Sequence, residues 1–196
     1  MMRLEETAAI LLCAGFSRRF GNDNKLTAHL HGKPLAAHAA DTISSLPYGS
    51  RMAVLPGGQR DPALREMLAA KGFHIVENPR PSLGKDSSIR IGVRKALTGK
   101  PGAILVALGD MPFVTSGHLI SLAAATSPTM AAASAVGERW SPPLVMPLRT
   151  AEAIMLQAEV PIRTIIAANG VAGVQVNERD LTDFDTAEDF LVSSPR

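Results

Sequence analysis

The sequence predicts an α/β protein with a mostly parallel central sheet. Three observations carry this. Short strand-like runs at Ala8–Leu12, Met52–Leu55, His74–Glu77 and Ala103–Leu108 alternate with segments of helical periodicity, the pattern of successive βαβ units. The run Ala103–Leu108 (AILVAL) has no polar residue, so it is expected at the centre of the sheet, covered on both faces. Glycine and proline stand between these runs, as at Gly32-Lys33-Pro34 and Gly72, and mark chain turns.

Taken in order, Ala8–Leu12 leads into a loop carrying Gly15, Ser17, Arg18, Arg19, Gly21 and Lys25. Pro34 suits the first residue of a helix, along which Leu35, Ala36, Ala39, Ala40, Ile43 and Leu46 recur on one face. After Met52–Leu55, Asp61 is expected to N-cap a helix that runs to Lys71 and stops at Gly72. His74–Glu77 follows, then the loop Asn78–Asp86. Ser87 or Ser88 is expected to cap the next helix, whose apolar side is Ile89, Val93, Ala96 and Leu97. Ala103–Leu108 ends in Gly109-Asp110-Met111-Pro112, and Thr115 or Ser116 starts a helix to Thr126. Met130–Val136 reads as a strand, and the proline-bounded Ser141–Pro147 as an edge strand. Helices at Thr150–Gln157 and Pro161–Asn169 precede a short strand, Gly173–Val176. Thr186-Ala187-Glu188-Asp189 matches a capping box opening a terminal helix. With no repeat or linker, residues 1–196 are expected to form one domain.

Composition narrows the classes. Of 196 residues 46% are hydrophobic and 19% charged, which describes a folded chain with a proper core. Aromatic residues are 4%, with one Trp and one Tyr, a poor basis for a nucleic-acid stacking surface. The net charge of +2 points to no nucleic-acid or membrane partner. The lone Cys13 excludes an internal disulfide and fits a reducing, cytoplasmic setting. No apolar stretch is long enough for a membrane span, and the short run leading into Arg18-Arg19 does not read as a signal peptide.

The chemistry concentrates after the first run. A buried strand followed at once by a loop with glycines and three cations, Arg18, Arg19 and Lys25, is suited to a polyphosphate. Glycine lets backbone N–H groups approach oxygens, and the cations supply charge. The alternative is a solvated surface loop. The position favours a ligand, because open α/β sheets bind ligands beyond the carboxyl ends of their strands. Neither G-x-G-x-x-G nor G-x-x-x-x-G-K-[ST] is present. Asp110, also at a strand end, is either a Mg²⁺ ligand or a helix N-cap or turn aspartate. Asp183-Phe184-Asp185 precedes the last helix, where aspartate also suits the helix dipole. The five histidines show no ligand spacing, and His29 and His31 read as one polar strand face.

These residues carry a resemblance. Leu12 to Gly21 with Lys25 resembles the L-x-A-G-x-S-x-R-x-G signature of Rossmann-like nucleotidyltransferases. Gly109-Asp110-Met111-Pro112 is similar to their metal motif. Asn78, Gly84 and Ser87–Gly92 resemble N…G-x-x-x-S-[LI]-x-x-G, and Asp183–Asp189 is close to D-x-D-T-P-E-D. Together they resemble the molybdenum cofactor nucleotidyltransferase family, from about Thr7 to Leu191.

The resemblance implies a three-layer nucleotidyltransferase fold that moves CMP or GMP from an NTP to molybdopterin, with a molybdoenzyme as a later partner. Leu12, Ala14 and Gly15, with Arg19 and Lys25, would hold the triphosphate. Asn78, Gly84 and Ser88 would lie along base and ribose. Asp110 would bind Mg²⁺, with Asp183 or Asp185 completing the site. Arg19, Lys25 and Asp110 form the implied catalytic set. Ala14-Gly15, where guanylyl-type members have Gly-Gly, favours CTP. The chain departs from the family at Ser141-Pro142-Pro143, where only Pro143 fits G-[HN]-P, and at Ala158–Arg163, where only Arg163 fits G-D-x-G-[AS]-R. Those departures keep two alternatives in view: another small phosphorylated acceptor, such as a sugar or alcohol phosphate, and a nucleotide-binding cofactor-delivery chaperone.

Overall fold

The computed structural model describes residues 2–14, 24–58, 61–184, 186 and 189–190. In chain order these contain β1 (Thr7–Leu12), β2 (His29–Leu30), β3 (Lys33–Pro34), α1 (Leu35–Ser44), β4 (Ser50–Pro56), α2 (Pro62–Ala70) and β5 (His74–Asn78). The second half contains α3 (Lys85–Leu97), β6 (Ala103–Leu108), α4 (Ser116–Ala125), β7 (Ala131–Val136), β8 (Arg139–Pro147), α5 (Leu148–Leu156), α6 (Ile162–Ala168) and β9 (Val171–Gln175). A seven-stranded sheet in the order β5-β4-β1-β6-β8-β7-β9 forms the middle layer. Its pairs are parallel except those made by β8, which runs against both β6 and β7. Helices flank the sheet, the three-layer α/β arrangement expected from the alternating pattern.

The all-apolar run became the central strand for the reason it was apolar. Every residue of β1 and of β6 is buried, so both are apolar except Thr7, whose hydroxyl donates to Arg3 O. Helix α3 crosses β1 and β4 closely. A Cβ on its Gly92 would stand 2.9 Å from Ile10 Cγ2 and 3.1 Å from Val54 Cγ2, so glycine sets this helix–sheet spacing.

Four expectations are corrected. Ser141–Pro147 is not an edge strand: β8 lies inside the sheet between β6 and β7. The prolines are accommodated because the β7–β8 register shifts at Ala133/Ser134, leaving Pro142 and Pro143 within the irregularity between Ser141 and Leu144, where a missing N–H costs no ladder bond. Neither Ser87 nor Ser88 caps α3. Gly84, at φ 88°, takes that place, and the helix starts at Lys85 because both serine hydroxyls are engaged by Asn78. Pro34 stands just before α1 rather than in it. His31 does not share a strand face with His29: it sits at φ 49° beside Gly32 at φ 82°, in the tight turn joining β2 and β3. Asp61 does cap α2, accepting from Leu64 N at 3.1 Å, and Thr115 caps α4 through His118 N. Half of the terminal capping box is seen in Thr186 N donating to Asp189 Oδ2 at 2.7 Å. Among the described residues no helix is long and apolar enough to cross a membrane.

Candidate functional site

From β1 the chain builds outward to β4 and β5; β6 then returns to the other flank of β1. This reversal leaves a crevice beyond the carboxyl ends of β1 and β6, the usual ligand position in such sheets. The two strands reach it level, Leu12 beside Leu108. Its floor is close-packed. Gly109 N donates to Leu12 O at 3.0 Å and Cys13 N to Val54 O at 2.8 Å. A Cβ on Gly109 would lie 2.8 Å from Cys13 Sγ. Cys13 is fully enclosed, and burial first, then the Asp110 charge, pushes its thiol well above the ordinary range. It is an inert packing group, as expected from a small buried residue.

Leu12, Cys13 and Ala14 carry the chain into the crevice and are all buried. Gly15, Ser17, Arg18, Arg19 and Gly21 lie outside the described residues. The chain is described again from Asn24, which is latched on two sides. Its Oδ1 accepts from Leu26 N at 3.0 Å, and its Nδ2 donates to Asp61 Oδ2, the α2 cap, at 2.6 Å. This latch opens a short 3₁₀ turn at Lys25. The Lys25 stem is buried, with its ammonium 2.8 Å from Asp110 Oδ2. The two side chains are 9% and 21% exposed, so the pair is only lightly screened. In sequence the two residues are 85 positions apart; the fold makes them one hydrogen-bonded unit.

Asp110 has a second neighbour. Phe184 N donates to Asp110 O at 3.1 Å. Phe184 is fully buried against the rings of Phe113 at 5.7 Å and Phe190 at 5.1 Å. That aromatic peg brings the exposed Asp183 into the Asp110 neighbourhood. Asp185 lies outside the described residues.

Asn78, Gly84 and Ser88 form a separate cluster on the same edge of the sheet, at the end of β5. Asn78 is fully buried, and its amide is satisfied within the protein. Nδ2 donates to Ser87 Oγ and Ser88 Oγ, each at 2.9 Å, and Oδ1 accepts from Arg80 N at 2.9 Å. These bonds shape the loop before α3.

On the β8 flank of Asp110 opens a cleft of about 480 Å³, walled by Lys85, Met111, Arg139, Trp140, Glu178 and Asp183 among others. Leu108 and Met111, which bracket Asp110, both line it. Trp140, which the sequence pattern does not single out, stands in the wall of this cleft. A second cavity, of about 520 Å³, lies at the amino edge of the sheet near Glu6, Ser50 and Gly102, on the opposite side from this chemistry.

One apparent triad is not catalytic. His118 Nε2 lies 2.7 Å from Ser134 Oγ, with Asp180 acting on the imidazole by charge. The Ser134 hydroxyl is fully buried and donates to Pro143 O at 2.8 Å, so it is a core bond between β7 and β8. Among the described residues no three His, Cys, Asp or Glu gather as a metal-binding group.

Comparison with known proteins agrees with this architecture. The sequence profile of the MobA-like NTP transferase domain matches residues 9–172. A probable molybdenum cofactor guanylyltransferase from Pyrococcus horikoshii is 32% identical over 104 residues, 53% of this chain and 48% of that protein. The bifunctional protein GlmU of Geotalea daltonii is 27% identical over 113 residues, 57% of this chain and 24% of that protein. The chain thus spans about a quarter of that GlmU and about half of the guanylyltransferase. A solved nucleotidyl transferase from Methanothermobacter thermautotroptrophicus shares the fold, with a TM-score of 0.76 at 19% identity, covering 95% of this chain and 94% of its own. With the profile spanning β1 to β9, the chain belongs to the MobA-like NTP transferase domain family.

Proposed function

We propose that the chain, as one domain acting in the cytoplasm, is a nucleotidyltransferase that moves CMP from CTP to molybdopterin. The observation that carries the reading is the Lys25–Asp110 pair at the β1/β6 crevice. It puts an oxygen-donor carboxylate within one hydrogen bond of a cation six positions after Arg19 in the sequence. Family membership supports the reaction class, and the Pyrococcus relative supports a molybdenum cofactor acceptor. The preference for CTP over GTP rests on Ala14 preceding Gly15.

In this reading an acceptor phosphate oxygen attacks the α-phosphorus in line. A new P–O bond forms there, the bond to the β-phosphate breaks, and pyrophosphate carries away the negative charge. The attacking phosphate is already anionic, so no side chain need remove a proton. Lys25 and Arg19 offset charge on the β- and γ-phosphates, while the backbone of Ala14-Gly15 aligns the chain of phosphates. Asn78, through Ser87 and Ser88, keeps the base-side loop in shape.

Mg²⁺ fits the donor set. Asp110 and Asp183 offer hard oxygens, and such ions are commonly held by one or two carboxylates plus substrate phosphates. Asp110 would hold it, with Asp183 or Asp185 as the second ligand. When bound, it supplies Lewis-acid polarisation of the phosphoryl oxygens.

The deciding experiment measures pyrophosphate release with CTP, GTP, ATP and UTP, each with molybdopterin and Mg²⁺. Release with CTP and formation of a CMP adduct are expected. Release only with a sugar or alcohol phosphate would transfer the reading to that acceptor. NTP binding without any release would favour the delivery-chaperone reading.

A further inference from the structure

The β8-side cleft has one wall that the nucleotide chemistry leaves unused. Trp140 is the only tryptophan of the chain and is half-buried in that wall. Its cross-strand partner on β7 is Ala135. So small a neighbour covers little of an indole, whose buried part packs against the hydrophobic core. Arg163 grips the residue twice. Its guanidinium carbon lies 4.0 Å from the indole centroid, and Nη1 donates to Trp140 O at 2.9 Å. Arg163 itself stands one residue inside α6, whose start is tied to α3 by Ile162 N donating to Asp86 Oδ2 at 2.9 Å. Arg90 of α3 binds the carbonyls of Ile154, Gln157 and Val160, fixing the segment that leads to α6. A half-buried aromatic at a strand end can otherwise change rotamer. Here the ring is clamped, and its orientation is set from outside the cleft.

A clamped, flat ring that lines a cleft can bind another flat ring by offset stacking. The same cleft carries the charges a phosphorylated heterocycle needs. Lys85 and Arg139 suit a phosphate, and Glu178 can accept from ring N–H groups. Resting on the reaction proposed above, we propose that Trp140 is the stacking platform for a heteroaromatic acceptor carrying a phosphate, and that Arg163 is its positioning residue. A sugar or alcohol phosphate has no face to stack, so the platform selects between the two acceptor classes.

The test uses the full chain and a pterin carrying a phosphooxymethyl group at C6, with glycerol 3-phosphate as the non-aromatic control. Saturable quenching of Trp140 fluorescence by the pterin phosphate, and none by the control, is expected. In equilibrium dialysis Trp140→Leu should weaken pterin phosphate binding about tenfold and Trp140→Phe far less. Arg163→Met should weaken it about threefold, with Arg163→Lys intermediate. CTP affinity should be unchanged in all four, which also reports folding. Pterin phosphate binding within twofold of the parent in Trp140→Leu, or in the exposed-site variant Arg163→Met if the first does not fold, overturns the platform. Under turnover, an unchanged acceptor KM in Trp140→Leu would sink it while leaving the nucleotidyltransferase reading intact. Absence of pyrophosphate release from the parent chain would remove that reading, with quenching still deciding the platform.

Discussion

Lys25 Nζ and Asp110 Oδ2 are 2.8 Å apart, although 85 positions separate the residues in sequence. Lysine is the more deeply enclosed partner, at 9% side-chain exposure against 21%. Removing the carboxylate therefore takes this bond from the group in the drier place, whereas removing the lysine takes it from the more exposed one. Asp110→Ala is expected to cost about 2–4 kcal/mol of stability and Lys25→Met about half as much. Urea denaturation of both variants checks the order. Equal losses would mean that depth of burial does not govern the pair.

The same two substitutions bear on catalysis. Each should reduce pyrophosphate release by at least about a hundredfold, since each removes charge aimed at the transferring phosphates. The readout is single-turnover release with CTP and molybdopterin, on variants whose circular dichroism matches the parent. Near-full turnover in either variant would remove that residue from the catalytic set.

Gly109 admits no side chain without displacing Cys13, because the added Cβ would meet Sγ at 2.8 Å and Leu12 O at 3.3 Å. Gly109→Ala should destabilise by about 1–3 kcal/mol through overpacking. Adding Cys13→Ala should return a large part of that loss, because it removes the nearer of the two contacts. Simple additivity in this double-mutant cycle would show that the backbone contact dominates.

Asn78→Ala removes two donors and one acceptor from a fully buried site. A cost of about 2–3 kcal/mol is expected, from the lost bonds to Arg80 N–H, Ser87 Oγ and the buried Ser88 Oγ. If the loop shapes the base-side pocket, KM for CTP should rise more than kcat falls. Steady-state kinetics separate the two.

Stability should also decline on mild acidification. Burial holds His118 below the ordinary imidazole value, and Asp180 only partly offsets this; burial is likewise the main cause of the lowering at His38. The unfolded chain therefore binds these protons first. Stability should be level above about pH 6.5 and fall as pH drops below it toward the folded values. Asp41 behaves separately. Burial alone would raise its carboxyl, but the ion pairs with Lys33 and Lys71 outweigh it and hold it low. Its contribution persists until pH falls below about 4. Denaturation midpoints at pH 7.5 and 5.5 should converge in the His38→Gln, His118→Gln double variant. An undiminished difference would place the pH sensitivity elsewhere.

The strands were legible because burial on both faces demands unbroken apolar runs, and the helices because one-sided burial imposes a 3.6-residue repeat. Errors arose where one residue type has two structural uses. Proline in Ser141–Pro147 indicated a sheet edge, yet the register shift at Ala133/Ser134 let Pro142 and Pro143 occupy an inner strand. Serine at 87 and 88 indicated a helix cap, yet the buried Asn78 amide claimed both hydroxyls. In each case the deciding partner lies on another element.

Local composition by itself determined the order of strands and helices, the cationic loop after β1 and the carboxylate after β6, because each depends on neighbours along the chain. Only the tertiary structure decided that β6 returns beside β1, that Lys25 and Asp110 meet there, and that Arg163 clamps Trp140 over the adjoining cleft. Those relations follow from strand order and helix docking, which are set by long-range burial and register rather than by any local pattern of residues.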